Sequence, residues 1–471
     1  MTDIAGASDH PPRPRARNLR AWLLRASRAL DTRRWEQFLL LVLLASKVVS
    51  LVTRWDQVHG HDAMAQMEVT GLLRWGNLDL GLRQCFNCYQ PPLGFLIPKV
   101  FSVLGFNATE SAQLASFTAS LVGFFCLRAA LARVGLLRRP AGVVFLYFTS
   151  GIPLQNYLTI AITLDAFMYA WACVTLYLSV RLYWPLAPGV AGVTPPPSGR
   201  TTWLLRAALV VVLASSVLVK YSGVTLFAIP FLVALVQPRP RRFRGCASAT
   251  LVAVVAVVVA LPYFYGRYYR QTGEFLPMNH EWSYSREVKE VRAKRDADRV
   301  QFFIDLFSPT AHAQEHPNLN DQKVCRLHDT WRFYWVRART IGWAGESAYK
   351  LSRFYIDFMP WVMLLGAWAF FRRSLRPTPW SRWGWVMVMN GLVQLAAIIQ
   401  HNYAYPWAWG IPVKAFYISP SMWTLGLGAA GLVSARALAP HFLARRWRLG
   451  IQLIYVLVAV FCFTNYYMGI Y

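Results

Sequence analysis

The chain has 471 residues, of which 56% are hydrophobic, 15% aromatic and 15% charged, with a formal net charge of +27. That is more apolar surface than a soluble core of this length consumes, which excludes an ordinary water-soluble enzyme and indicates a polytopic membrane protein. The basic excess does not mark nucleic acid as a partner, because Lys and Arg alternate with apolar runs and form no continuous basic domain.

Residues 1–35 are polar and arginine-rich, with Arg13, Arg15, Arg17, Arg20, Arg25 and Arg28 around Pro11, Pro12 and Pro14, and read as a cytoplasmic tail lying near anionic lipid. Thr32-Arg33-Arg34 before an apolar run reads as an uncleaved first anchor, since no small-residue cleavage site follows. Apolar runs predict membrane spans at 37–54, 111–133, 141–158, 160–183, 203–219, 223–236, 248–266, 350–371, 384–400, 414–434 and 449–468, about eleven helices in all. The run 93–106 is too short to cross and is expected to lie at the interface or re-enter. With the tail inside, Arg138 and Arg139, Arg200 and Arg206, Arg241 and Arg242, Arg372 and Arg373, and Arg445 and Arg446 all fall on the cytoplasmic side, as the positive-inside rule requires. The expectation is an all-α, multi-pass protein of the plasma (inner) membrane, N-terminus cytoplasmic and C-terminus external. An N-terminal membrane domain (36–266) contains a first external loop (55–110), an external cap spans 267–349, and C-terminal helices occupy 350–471.

The cap carries mixed charge, with Glu290–Lys294 and Arg292–Asp296 spaced for pairing along a helix and Val300, Phe303, Ile304 and Phe307 forming an apolar stripe. Its histidines, His280, His312, His316 and His328, have no compact ligand spacing, so no metal or other cofactor is called for. Cys85, Cys88 and Cys325 all fall outside, where disulfides persist. Cys325 with Cys85 or Cys88, Cys85 with Cys88, and no bridge at all are the open arrangements.

Between the first span and water lies His59 to Gly94, where Asp62 is flanked by His59, His61 and Glu68. An acid held at a membrane surface indicates chemistry on a lipid-borne substrate; Asp62 also suits a helix cap for the segment starting at Ala63, and the two roles are compatible. Further on come Tyr89-Gln90-Pro91-Pro92-Leu93, then Thr163-Leu164-Asp165, then Val219-Lys220-Tyr221-Ser222-Gly223, and finally Lys414 through Tyr417 to Pro420. Asp165 inside a span requires a cavity or a partner, and acceptor binding and an ion pair are both open to it. Lys220 and Lys414 fall at external helix ends, where they either snorkel or meet a phosphate. The aromatic segment 403–409 reads first as an interfacial belt and second as a sugar platform.

These four segments, in this order, resemble the GT-C class of integral-membrane glycosyltransferases, in particular the family of protein O-mannosyltransferases and lipid A aminoarabinose transferases. The resemblance covers most of the membrane domain but not the cap, and it departs at Ala63, where relatives often carry a second acid, and at Gln90, where they often carry a base. It implies transfer of a sugar from a polyprenyl-phosphate donor to a lipid, glycan or protein acceptor on the external face. Asp62 would be the base, and His61, Gln90, Asp165, Lys220, Lys414 and Tyr417 would bind substrate. Direct displacement at the anomeric carbon implies inversion. The competing class is a transporter or flippase of a lipid-linked sugar or anion, against which stands the lack of two related halves.

Overall fold

A computed structural model of the chain describes residues 32–59, 63–76, 80–82, 84–85, 87–184, 199–275, 293, 296–300, 359–368, 370–371, 378–404, 419–434 and 444–470. The basic tail, most of the cap, Cys325, His61, Asp62, Lys414 and Tyr417 lie outside these residues. Among those described, every regular element is helical. Six helices are long and apolar enough to cross a membrane, and shorter apolar helices stand at the remaining predicted spans.

Helix α1 (Thr32–Thr53) is followed by a short α2 (Ala63–Leu72) and an interfacial-length α3 (Leu93–Ser102). Helix α4 (Ala108–Val134) opens on a reciprocal cap: Asn107 accepts from the Glu110 backbone N–H at 2.9 Å, and Glu110 accepts from the Asn107 N–H at 3.0 Å. It stops at Gly135, whose left-handed φ of 79° favours glycine. The predicted span 141–158 is two helices, α5 (Pro140–Gly151) and α6 (Pro153–Ile160), because Pro153 has no N–H to continue the ladder and starts a new helix instead. Helices α7 (Leu164–Tyr183) and α8 (Gly199–Val219) follow. A 3₁₀ turn (Tyr221–Phe227) then leads into α9 (Ala228–Leu235).

Helix α10 (Arg239–Phe264) continues through a π turn (Tyr265–Tyr269) to Thr272, past the expected start of the cap at 267. Helices α11 (Met359–Trp368), α12 (Pro379–Ala404), α13 (Met422–Ser434) and α14 (Ala444–Ile470) complete the bundle. Where α11 meets α13, Gly366, Gly428 and Gly431 let the two backbones touch, since a Cβ on any of them would collide with the facing helix.

Polar groups inside the bundle organise it. Glu36 of α1 accepts from the Arg128 guanidinium of α4 at 2.7 Å and from the Tyr147 hydroxyl of α5 at 2.9 Å. Along α4, Gln113, Ser116 and Ser120 make a ladder at helical spacing. Gln113 donates to the carbonyls of Arg54 and Gln57, Ser116 donates to the carbonyl of Ala161, and Ser120 accepts from the buried Lys47 ammonium, which also donates to Thr159. The ladder holds the exit of α1 against the short linker between α6 and α7.

Candidate active site

Construction starts at that linker. The Ile162 N–H donates to the carbonyl of His59 at 2.7 Å, and Ile162 also packs with Ala63 and Ala112 in a small apolar cluster. The described residues on both sides of Asp62 are therefore anchored to one residue, three positions before Asp165. Thr163 caps α7, donating from its hydroxyl to Asp165 Oδ2 at 3.0 Å and accepting from the Asp165 N–H at 3.3 Å. Asp165 sits in the first helical turn, where the unpaired N–H groups favour negative charge.

Its other oxygen, Oδ1, takes a 2.6 Å hydrogen bond and ion pair from Lys220 Nζ. Both side chains are withdrawn from solvent, at 3% and 15% exposure, so the attraction is far less screened than on a surface. Lys220 is extended and ends α8. The turn after it depends on Gly223, because a Cβ there would overlap the carbonyl of Ser216.

The Pro-Pro turn reaches the same place. Gly94, the residue after Leu93, is wedged between Leu164 and Val219, and a Cβ on it would meet the Leu164 side chain and the Val219 carbonyl. Those two residues immediately precede Asp165 and Lys220. Three of the four motif segments thus converge on one glycine. The Tyr221 hydroxyl donates to the carbonyl of Tyr89 at 2.6 Å, fixing the loop just before Gln90. Gln90 donates to the Tyr89 hydroxyl at 3.3 Å, and its buried Oε1 has no partner among the described residues.

The loop is braced from behind. Cys85 and Cys88 form a disulfide, which selects one of the arrangements left open by sequence. Arg267, on the π turn, donates to the carbonyls of Leu80 and Cys88 at 2.9 and 3.0 Å while its guanidinium lies over the rings of Tyr263 and Tyr268. Nothing in the local pattern around Arg267 announced this role. Its partners lie more than 170 positions earlier in the chain. On the other side, Gln394 of α12 donates to Thr225 at 3.0 Å. Among the described residues no group of three or more His, Cys, Asp or Glu side chains is arranged to hold a metal.

The chain is an all-helical, multi-pass membrane protein in which a loop beside the first helix, an acid at a helix start and a lysine at a helix end are brought together. No protein-family model matches the sequence, and no curated protein does. Two crystal structures of ArnT from Cupriavidus metallidurans are similar to it, both with a TM-score of 0.48. The apo state matches at 18% identity over 93% of this chain and 76% of that one, and the form bound to undecaprenyl phosphate at 16% over 92% and 77%.

Proposed function

We propose that this chain is a membrane glycosyltransferase that moves a sugar from a polyprenyl-phosphate carrier to an acceptor hydroxyl on a lipid, glycan or protein at the external face. The observation that carries the reading is the convergence at Gly94, which gathers the Pro-Pro turn, Asp165 and Lys220 while the flanks of Asp62 pack on Ile162. In the proposed reaction the acceptor hydroxyl gives its proton to Asp62, and its oxygen bonds to the anomeric carbon. The bond from that carbon to the phosphate oxygen breaks, and its electron pair leaves with the polyprenyl phosphate. Attack opposite the leaving group inverts the anomeric centre.

Lys220 and Lys414 receive the charge growing on the departing phosphate, and one such contact at about 4 Å in an effective dielectric near 20 is worth roughly 4 kcal/mol before desolvation. His61, Gln90 and Tyr417 complete the binding surface. Asp165 holds Lys220 in place. The topology proposed with it has about eleven crossings, the N-terminus inside and the C-terminus outside.

Asp62→Asn tests this reading against transport. A transferase with this substitution still binds the donor lipid but loses turnover by roughly 10²-fold or more, the usual contribution of a general base. Unchanged transfer by Asp62→Asn, measured with radiolabelled sugar-lipid in proteoliposomes, removes Asp62 as the base; lipid translocation without transfer by the unaltered protein overturns the transferase reading and assigns the chain to the carriers.

A further inference from the structure

The turn that carries the chain off α1 is held by one flank of α4. Asn107 Nδ2 donates to Asp56 Oδ1 at 2.9 Å, and Glu110 Oε1 accepts from the Trp55 indole at 3.0 Å. Gln113 holds more of it than either. Its Nε2 donates to the carbonyls of Arg54 and Gln57 at 2.8 and 2.9 Å, and its Oε1 accepts from the Asp56 N–H at 3.0 Å. Gln113 is 0% exposed, so a buried amide spends both its N–H groups and its oxygen on the backbone of one turn.

What Gln113 holds is an unusual conformation. Asp56 has a φ of 58°, the one positive value at a non-glycine among the described residues. A residue with a Cβ stays left-handed only where its surroundings over-determine it, and such residues cluster at functional sites. The chain beyond the turn is held by the next residue of the same helix. Ala112 packs with Ala63 and Ile162, and the Ile162 N–H meets the carbonyl of His59. Consecutive residues of α4 thus hold the chain before and after Asp62, Gln113 through the turn at 54–57 and Ala112 at Ala63. Ser116 donates to the carbonyl of Ala161, so the segment leading to Asp165 is registered on the same helix.

We propose that Gln113 is a positioning residue for the proposed base Asp62. By locking the Arg54–Gln57 turn it sets where the chain enters the stretch from His59 to Ala63, and turnover depends on it while binding of the donor lipid does not. Misplacing a catalytic group by about 1 Å can cost on the order of 10²-fold in rate, so a lock this far from the chemistry has leverage on it. The proposal rests on the glycosyltransferase reading and adds a residue that acts only through the carboxylate.

The test uses the full-length chain and a double-variant cycle. Transfer is followed with radiolabelled hexosyl, pentosyl and aminopentosyl polyprenyl phosphates in membrane vesicles that carry their own acceptors, and binding of bare polyprenyl phosphate is measured in nanodiscs. Gln113→Leu, which removes all three hydrogen bonds, is expected to lower transfer about 10²-fold and to leave affinity for the bare lipid within about twofold. Gln113→Glu keeps the acceptor for the Asp56 N–H, loses both donors, and is expected to change transfer in the same direction. In an Asp62→Asn background, read over long incubation, Gln113→Leu is expected to cost no more than about twofold further, because nothing is left for it to position. The full loss repeated in that background, or unchanged transfer in Gln113→Leu, overturns the proposal and leaves the transferase reading intact. Loss of lipid binding in both Gln113 variants makes the residue merely structural and overturns it as well. Normal transfer by Asp62→Asn alone removes the base itself, a failure read with Gln113 untouched.

Discussion

A carboxylate and an ammonium 2.6 Å apart inside a helical bundle stabilise each other only while both are present. Removing one leaves the other in a medium that solvates charge poorly, at a cost of about 3–5 kcal/mol for a well-buried pair, whereas removing both together is often close to neutral. Asp165→Asn should therefore lower the midpoint of thermal unfolding in detergent, as should Lys220→Met. The double variant Asp165→Leu/Lys220→Met should recover most of the loss without recovering transfer. A double variant no more stable than the singles would show that the pair contributes little. Asp165 was legible as a group needing a cavity or a partner, since an acid within a span is costly by position alone. Its partner was not, because Lys220 is 55 positions away and its reach depends on how α7 and α8 pack.

At the scale of elements, the described residues between Leu80 and Gln90 are held by a guanidinium on another helix as well as by the Cys85–Cys88 disulfide. Each hydrogen bond from a charged donor is worth about 1.5–3 kcal/mol, and Arg267 makes two such bonds to the loop backbone. Lysine keeps the charge but cannot reach two carbonyls from a planar fork while stacking on tyrosine. Cys88 is only 1% exposed while Cys85 is partly buried, so after reduction at Cys85 the trapping of the Cys88 thiol requires the loop to open. Arg267→Gln should speed trapping of the thiols by maleimide under dithiothreitol by roughly tenfold or more, and Arg267→Lys by less. Mass spectrometry reads the adducts, and equal rates in all three proteins would contradict the brace. The break between α5 and α6 was latent in the sequence, at Pro153, but hydropathy averages over it and predicted one span, 141–158.

For the whole molecule, the arginine clusters make a statement about sidedness that solution chemistry can check. In oriented vesicles, Gln57→Cys should react with a membrane-impermeant maleimide added from the external side, and Arg138→Cys only from the cytoplasmic side. Labelling of both from one side would reverse or dissolve the proposed topology and with it the external placement of the site.

The sequence by itself determined that the chain is a multi-pass bundle of apolar helices, and roughly where the six long ones run. In lipid every backbone N–H and C=O must be satisfied within its own segment, so a local property, hydropathy over a window, carries the information. It also supplied the residue types of the site, because an acid or lysine at a membrane boundary is conspicuous wherever it stands. Only the tertiary structure decided that Gly94 is the place where the Pro-Pro turn, Asp165 and Lys220 meet, that Arg267 braces a loop far behind it, and that Asn390 is buried with an idle amide. Those facts depend on packing between helices distant in sequence, and van der Waals fit between distant segments leaves no periodic trace in either one.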